Sequence, residues 1–157
     1  MCGGILKDTL ISDFSNTLFQ DAFRQYFSEL GITVKDWDGL FMEMSDEKET
    51  CAIVRTDEDR IVGFVMFAPI AFTSWFFEET CGFIREFWIA EEYRNQGHGS
   101  ALLKIVEDHF SGEGIYTSIL TTDTAESFYL NHGYEKASGC KAKNKDTVYI
   151  KRLLPTA

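Results

Sequence analysis

At 157 residues, 45% hydrophobic and 15% aromatic with only two prolines, the chain has the length of one domain and the apolar content for a sizeable core. That composition excludes a disordered, collagen-like or repeat-built chain. A formal charge of −10 makes a phosphate backbone a poor partner, although the charge is divided: residues 1–133 carry nine basic and twenty-three acidic groups, residues 134–157 six and two.

The first periodic segment is 12–30, where Phe14, Leu18, Phe19, Ala22, Phe23, Tyr26, Phe27 and Leu30 recur at three and four and predict a helix stopped by Gly31. Trp37, Leu40, Phe41 and Met44 suit a short helix before the acidic run 46–49. Cys51 to Arg55 reads as a strand, Asp57-Glu58-Asp59 as a polar turn, and Ile61 to Phe67 as an apolar strand inside a sheet. Residues 68–80 hold Pro69 and the cluster Phe72, Trp75, Phe76 and Phe77, which fits either a bent continuation of the strand or a hydrophobic loop. Gly82 to Ala90 is the next strand. An amphipathic helix follows from about Gly99 to Phe110, with Leu102, Leu103, Ile105, Val106, His109 and Phe110 facing inward and Gly112 and Gly114 ending it. A strand over Tyr116 to Leu120, a helix over Ala125 to Asn131 capped by Gly133, and strands over Tyr134 to Ser138 and Thr147 to Lys151 complete a single domain, 1–157, with a mixed sheet flanked by helices.

Cys2, Cys51, Cys81 and Cys140 are widely spaced, and the three histidines show no ligand spacing, so neither a disulfide framework nor a metal site is expected. The chain shows no basic leader followed by an apolar segment and no run of eighteen apolar residues, which predicts a cytoplasmic protein with reduced thiols and no membrane contact. Lys141, Lys143 and Lys145 supply the late positive excess and read as a solvated turn or a local site for an anionic ligand.

The stretch most suggestive of chemistry is Arg94-Asn95-Gln96-Gly97-His98-Gly99-Ser100, between an apolar strand and a helix. Two glycines in a tight turn let backbone amides converge, and the free amides of a helix's first turn add partial positive charge, so a phosphate or pyrophosphate is the natural guest. The run lacks the Lys-Ser/Thr ending of a triphosphate loop and the third glycine of a dinucleotide fingerprint. With its flanks, F-W-I-A-E-E-Y-R-N-Q-G-H-G-S-A-L-L resembles the acetyl-coenzyme A motif of the GNAT acetyltransferases, Arg94, Gly97 and Gly99 matching its core and Leu102 and Leu103 the apolar pair after it. A second segment, Ala125 to Tyr134, resembles that family's helix-to-strand region, in which a tyrosine stands four residues before a glycine and an aromatic; here these are Tyr129, Gly133 and Tyr134. Glu91 stands where the family often has proline, and Thr122 where it often has asparagine.

The resemblance implies a mostly antiparallel central sheet of the α/β (α+β) class, with a splayed strand pair that binds an acyl-coenzyme A. It places the pantetheine arm along the backbone of Phe87, Trp88 and Ile89, and the pyrophosphate on Arg94, Asn95, Gln96, Gly97, His98, Gly99 and Ser100, with Thr122 nearby. It implies Tyr129 as the acid that protonates the departing thiolate and Glu86 as the base for the acceptor amine, Glu78 and Glu79 being reserves. The expected reaction is acetyl transfer from acetyl-coenzyme A to a primary amine by direct attack. The acidic body favours a cationic acceptor, whether a small-molecule amine, a peptide N-terminus or a lysine, and disfavours nucleic acid. The aromatic cluster at 72–77 would line an acceptor slot or a homodimer contact. Two alternatives stay open: an acyl-coenzyme A binding or regulatory module without efficient transfer, and an acyltransferase with another donor or acceptor.

Overall fold

The computed structural model describes residues 4–154. Its strands, β1 (Leu6–Ile11), β2 (Cys51–Asp57), β3 (Arg60–Thr73), β4 (Glu78–Ile89), β5 (Thr117–Thr122), β6 (Glu135–Lys136) and β7 (Thr147–Arg152), follow the hydrogen-bonded order β1-β2-β3-β4-β5-β7-β6 in one mixed, mostly antiparallel sheet flanked by helices, the α/β (α+β) class expected. The chain divides into two compact units, and the long strands β3 (Arg60–Thr73) and β4 (Glu78–Ile89) run through both.

The first unit comprises the described residues up to Met66 together with Glu86–Leu102. Its edge strand β1 (Leu6–Ile11) pairs antiparallel with β2 (Cys51–Asp57) from Leu6↔Asp57 to Ile11↔Ala52. This strand has no counterpart in the expected element order. Four of its six residues are exposed and polar side chains interrupt it, so its identity comes from pairing with β2 and not from an apolar pattern. Helix α1 (Thr17–Leu30) begins five residues later than expected. Ser15 donates its amide to Asp13 Oδ1 at 3.0 Å, and the side chain of Asn16 accepts the amide of Phe19 at 3.1 Å, so local side chains turn residues 13–16 away from the helix. Gly31 stops it, φ 73°, as expected. Helix α2 (Trp37–Ser45) is capped by Asp36, which accepts the Gly39 amide at 3.0 Å.

The phenylalanines pack this unit's core. Phe19 is fully buried and its ring meets those of Phe23, Phe41 and Phe64 at 5.5, 6.2 and 6.1 Å between centroids, with Trp88 closing the cluster against Phe64 at 6.1 Å. Edge-on and tilted pairs of this kind add about 0.5–1.5 kcal/mol beyond area burial.

The second unit comprises Phe67–Arg85 and the described residues from Leu103 onward. Here β3 continues to Thr73 and a turn closed by the Ser74 amide on the Phe77 carbonyl, 2.7 Å, leads into β4, so the segment at 68–80 is strand and hairpin tip. The tip side chains are bare, Trp75 at 96% and Phe76 at 97% exposure. Strand β5 (Thr117–Thr122) runs parallel to β4 and antiparallel to β7 (Thr147–Arg152), and β6 is only Glu135–Lys136. Helix α3 (His98–Gly112) supplies Leu103, Val106 and Phe110 to this unit's core. A Cβ on Gly82 would stand 2.4 Å from the Phe110 ring, so a side chain there would push helix and strand apart. One polar chain crosses this core. Tyr134 donates to Glu107 Oε2 at 3.0 Å and its hydroxyl lies 2.7 Å from Ser118 Oγ, while Lys151 donates to Glu107 Oε1 at 2.9 Å. Every polar group of this chain of contacts thus finds a partner.

Replacing Phe19 with alanine removes the ring at the centre of the first unit's cluster. The variant should lose about 3–5 kcal/mol of unfolding free energy, read by urea denaturation; a loss below about 1 kcal/mol would remove Phe19 as the packing centre.

Candidate active site

Strand β4 carries Glu86 and Trp88 on one face, the phase expected from strand alternation, and both meet α1. Tyr26 donates its hydroxyl to Glu86 Oε2 at 2.7 Å and its ring lies 6.0 Å from that of Trp88. Trp88 Nε1 donates to Glu29 at 2.8 Å. Burial, then the hydrogen bond and charge of Glu86, push the Tyr26 phenol far above its usual range, so it is a donor at any working pH. Glu86 is half-buried with one oxygen oriented by that phenol.

After β4 a 3-10 turn, Glu91–Tyr93, leads into the glycine segment. Arg94 does not stand free at its mouth. Its guanidinium pairs with Glu29, and its Nε donates to the Ile89 carbonyl at 2.9 Å, so it ties the strand end to α1. Asn95 and Gly97 both adopt left-handed backbone, φ 61° and 87°. Gly97 is the residue this turn requires, since a β-carbon would be strained there although nothing lies within 4 Å of its position. The first intrahelical bond of α3 is the Ala101 amide on the Gly97 carbonyl at 3.1 Å. Among the described residues no carbonyl or side chain takes the amides of Gln96, Gly97, His98 and Gly99. Four unclaimed amides in a left-handed turn at a helix start suit a phosphate.

His98, inside this turn, is held from behind. Arg55 forms a two-bond pair with Asp8, 2.8 and 3.0 Å, and its Nη1 lies 3.1 Å from His98 Nδ1. A guanidinium can only donate, so Nδ1 accepts and the ring proton sits on Nε2. Burial and the Arg55 charge both lower the His98 pKa below the ordinary 6.5, which keeps the imidazole neutral near pH 7.

In the second unit, the β4–β5 ladder is confined to Gly82↔Ser118 and Phe83↔Ile119. Thr122, at the end of β5, accepts the Ala125 amide at 3.0 Å and so closes the turn into helix α4 (Glu126–Leu130). Tyr129 on that helix is 7% exposed, and its ring packs edge-on against Phe128 and Tyr134 at 5.1 and 5.6 Å. Its hydroxyl has no hydrogen-bond partner among the described residues, yet it is not an enclosed atom; Asp57 Oδ1 is the enclosed unpaired side-chain oxygen among them. Burial alone raises the phenol to about 12. Gly133, φ 89°, ends α4: its amide reaches the Leu130 carbonyl at 3.3 Å and that of Tyr134 reaches Tyr129 at 3.1 Å.

The reserve acids divide. Glu79 accepts from Arg152 at 3.0 Å and Thr117 at 3.2 Å, whereas Glu78 is exposed. His109 stacks edge-on with Phe67 at 5.2 Å and reaches Glu113 at 3.2 Å. Cys2 lies outside the described residues; Cys51, Cys81 and Cys140 form no disulfide, and no cluster of metal-ligating residues occurs among the described ones. No described helix is long and apolar enough to cross a membrane.

The sequence model of the acetyltransferase (GNAT) family matches residues 11–136. This chain belongs to the GNAT acetyltransferase family. Solved structures agree on the fold. A Desulfovibrio desulfuricans protein assigned to the GNAT family superposes with a TM-score of 0.74 at 15% identity, over 96% of this chain and 100% of that one. Arabidopsis thaliana NAA60, solved with a bisubstrate analogue, gives 0.71 at 13% identity, also over 96% and 100%. An aminoglycoside acetyltransferase, meta-AAC0020 from an uncultured soil metagenomic sample, solved with sisomicin, gives 0.63 at 17% over 81% and 84%. Membership in the GNAT family carries acyl transfer from a coenzyme A thioester as the general chemistry of this chain.

Tyr26, Glu29 and Arg55 escaped the sequence reading. Each lies forty or more residues from its partner, and only Tyr26 belonged to a visible pattern, the apolar stripe of α1.

The raised phenols of Tyr26, Tyr129 and Tyr134 make the fold sensitive to alkali. A folded pKa above the unfolded value of 10 gives stability that is complete below pH 10 and lost as pH rises through the folded values. Absorbance at 295 nm should show these three ionising only as circular dichroism reports unfolding. Ionisation of all tyrosines near pH 10 in a folded chain would contradict the burial.

Proposed function

We propose that the chain is an acetyl-coenzyme A-dependent N-acetyltransferase whose acceptor is a small or cationic primary amine. The observation that carries this reading is the left-handed turn at Asn95 and Gly97, with the unclaimed amides of Gln96 to Gly99 at the start of α3. In this reading those amides and that of Ser100 take the pyrophosphate, the backbone of Phe87 to Ile89 takes the pantetheine amides, and Thr122 shapes the approach to α4. Arg94 acts as a positioning residue, because its guanidinium is already committed to Glu29 and Ile89.

Acetyl-coenzyme A supplies an acyl carbon activated as a thioester. The amine nitrogen forms a bond to that carbon as the carbon–sulfur bond breaks. Glu86 receives the amine's proton, directly or through a water, while Tyr26 fixes the carboxylate's orientation. Tyr129 gives its proton to the sulfur, and its unpartnered hydroxyl supports that role, since no protein acceptor competes for the hydrogen. A phenol with a pKa of about 12 stays protonated throughout the working range, so the alkaline limb of a rate profile below pH 10 should not belong to it. The cationic preference rests on the twenty-three acidic groups of residues 1–133. Two of the solved relatives bear names that fit amine acceptors, one an aminoglycoside acetyltransferase and the other a NatC complex bound to a Gag peptide and coenzyme A.

Calorimetric titration with acetyl-coenzyme A and with ATP tests the donor site. Binding of acetyl-coenzyme A well above that of ATP is expected, and Gly97→Val should weaken it at least tenfold while circular dichroism stays unchanged, because valine resists positive φ. Unchanged affinity would remove the turn from the site.

Thiol release across an amine panel tests the chemistry. Tyr129→Phe should lower kcat by roughly 10²–10⁴-fold with little change in donor affinity. Glu86→Gln should lower the rate by a similar factor. A fully active Tyr129→Phe or Glu86→Gln would take those roles away. Tight donor binding with no transfer to any amine would instead favour a binding module.

A further inference from the structure

Amides that must stay unclaimed for a ligand cannot also be fixed by a capping side chain, and Gly97 at the start of α3 brings none. The usual way of holding a helix start is closed to this turn. Side chains around it hold it instead. Arg94 reaches Glu29 and the Ile89 carbonyl, Gln96 Nε2 donates to the Glu92 carbonyl at 2.9 Å, and His98 takes an N–H of Arg55. Of these three tethers, only His98 changes charge near neutral pH.

Arg55 is oriented for its contact before His98 arrives. It stands directly opposite Asp8 in the β1–β2 ladder, and that carboxylate takes Nε and Nη2 at 2.8 and 3.0 Å. A two-bond fork fixes the plane of a guanidinium, which leaves Nη1 directed at His98 Nδ1, 3.1 Å away. The pair is well covered, with 11% of the Arg55 side chain and 26% of that of Asp8 exposed. The polar edge strand β1 thereby gains a use, since it supplies the carboxylate that orients Arg55. Tyr93 meets the imidazole edge-on at 5.8 Å, and its hydroxyl donates to Asp57 Oδ2 at 3.4 Å.

Protonation of His98 undoes this arrangement. The added proton sits on Nδ1 and faces an Arg55 N–H, donor against donor and cation against cation. The charged groups around the ring are Arg55 and Asp57 from β2 and Asp8 from β1; the 3-10 turn offers Tyr93, and the first turn of α3 has no acidic residue. Burial and then Arg55 oppose the imidazolium, Asp57 and Asp8 favour it, and the first two prevail.

We propose that Arg55 is a positioning residue for the glycine turn: it locks His98 in the Nε2–H form, ties the start of α3 to the β1–β2 edge, and so makes binding of the acyl donor depend on a neutral His98. The lock belongs to the free chain, whereas its consequence for the donor rests on the acetyltransferase reading. With the folded pKa held below the ordinary 6.5, the lock is complete above that value and lost as pH falls through the lower folded one. A histidine acting as a cation toward the donor gives the opposite sign, with binding that tightens in acid.

Long-range ¹H–¹⁵N imidazole spectra of the free chain read the lock, the His98 signals being assigned by their loss in His98→Asn. The Nε2–H form is expected, with a titration midpoint below 6.5 that rises in Arg55→Met. An Nδ1–H form, or a midpoint that Arg55→Met leaves in place, overturns the lock. Should an unpaired Asp8 unfold that variant, Asp8→Asn/Arg55→Met makes the same comparison. Calorimetric titration with acetyl-coenzyme A from about pH 8 down to about pH 5 reads the consequence. At the alkaline end Arg55→Met should weaken binding by about tenfold or more. An asparagine Oδ1 accepts from Arg55 as Nδ1 does and does not ionise. His98→Asn should therefore bind more tightly than His98→Ala, and lose less affinity on acidification than the unaltered chain; the donor's own phosphate titration is common to all. Equal affinity in Arg55→Met and the unaltered chain, no rescue by asparagine, or binding that tightens in acid relative to His98→Asn overturns the positioning role. The lock present with no acetyl-coenzyme A binding at any pH would sink the acetyltransferase reading, and the donor consequence with it.

Discussion

The carboxylate of Glu29 is the point on which the end of β4 and the glycine turn after it depend. It sits in the last turn of α1 and accepts the Trp88 indole N–H and the Arg94 guanidinium. Burial alone would raise its pKa, but those two donors outweigh it and hold the group below the ordinary carboxylate value, so it is ionised wherever the enzyme works. Arg94 also bonds the Ile89 carbonyl, so one side chain closes the end of β4 against α1 and starts the turn that carries Asn95 and Gly97. Without Glu29, an indole N–H and a guanidinium would both lose their acceptor, and the left-handed turn would lose its anchor.

The aromatic core makes that anchor possible. Helix α1 presents Phe19 and Phe23 to Phe41 and Phe64, and the same helix offers Tyr26 and Glu29 one turn apart to β4. The apolar contacts fix where the helix lies, and the polar contacts use that placement to orient Glu86 and Arg94. Packing therefore determines the electrostatics here: the phenol of Tyr26 meets Glu86 at 2.7 Å because its ring is already wedged between Phe64 and Trp88.

Three buried tyrosines show how one residue type acquires different roles. Tyr26 and Tyr134 have carboxylate partners, Glu86 and Glu107, and they serve positioning and core satisfaction. Tyr129 is as deeply buried as a core residue and still leaves its hydroxyl without a partner. A buried ring usually secures its hydroxyl, and Tyr129 departs from that rule where Tyr26 and Tyr134 follow it. Histidine shows the same contrast, since His98 is kept neutral by Arg55 while His109 is occupied by Phe67 and Glu113.

The helix period of α1 and α3, the glycine turn at 97–99 and the Tyr129–Gly133–Tyr134 spacing are all short-range features, and each was legible in the sequence because backbone preference and side-chain periodicity act within a few residues. The family resemblance rested on those same local motifs. Edge strand β1 was invisible because its polar, half-exposed residues become a strand only through six pairs with β2, more than forty positions away. The course of 68–80 could not be chosen from composition, since its aromatics suit a strand or a loop equally and the Ser74–Phe77 turn decides. The commitment of Arg94 to Glu29, of Glu86 to Tyr26 and of His98 to Arg55 likewise belongs to the tertiary structure alone. Sequence determined which groups could bind or move a proton; folding decided which of them are already occupied, because hydrogen bonds between distant residues exist only once packing has brought their elements together.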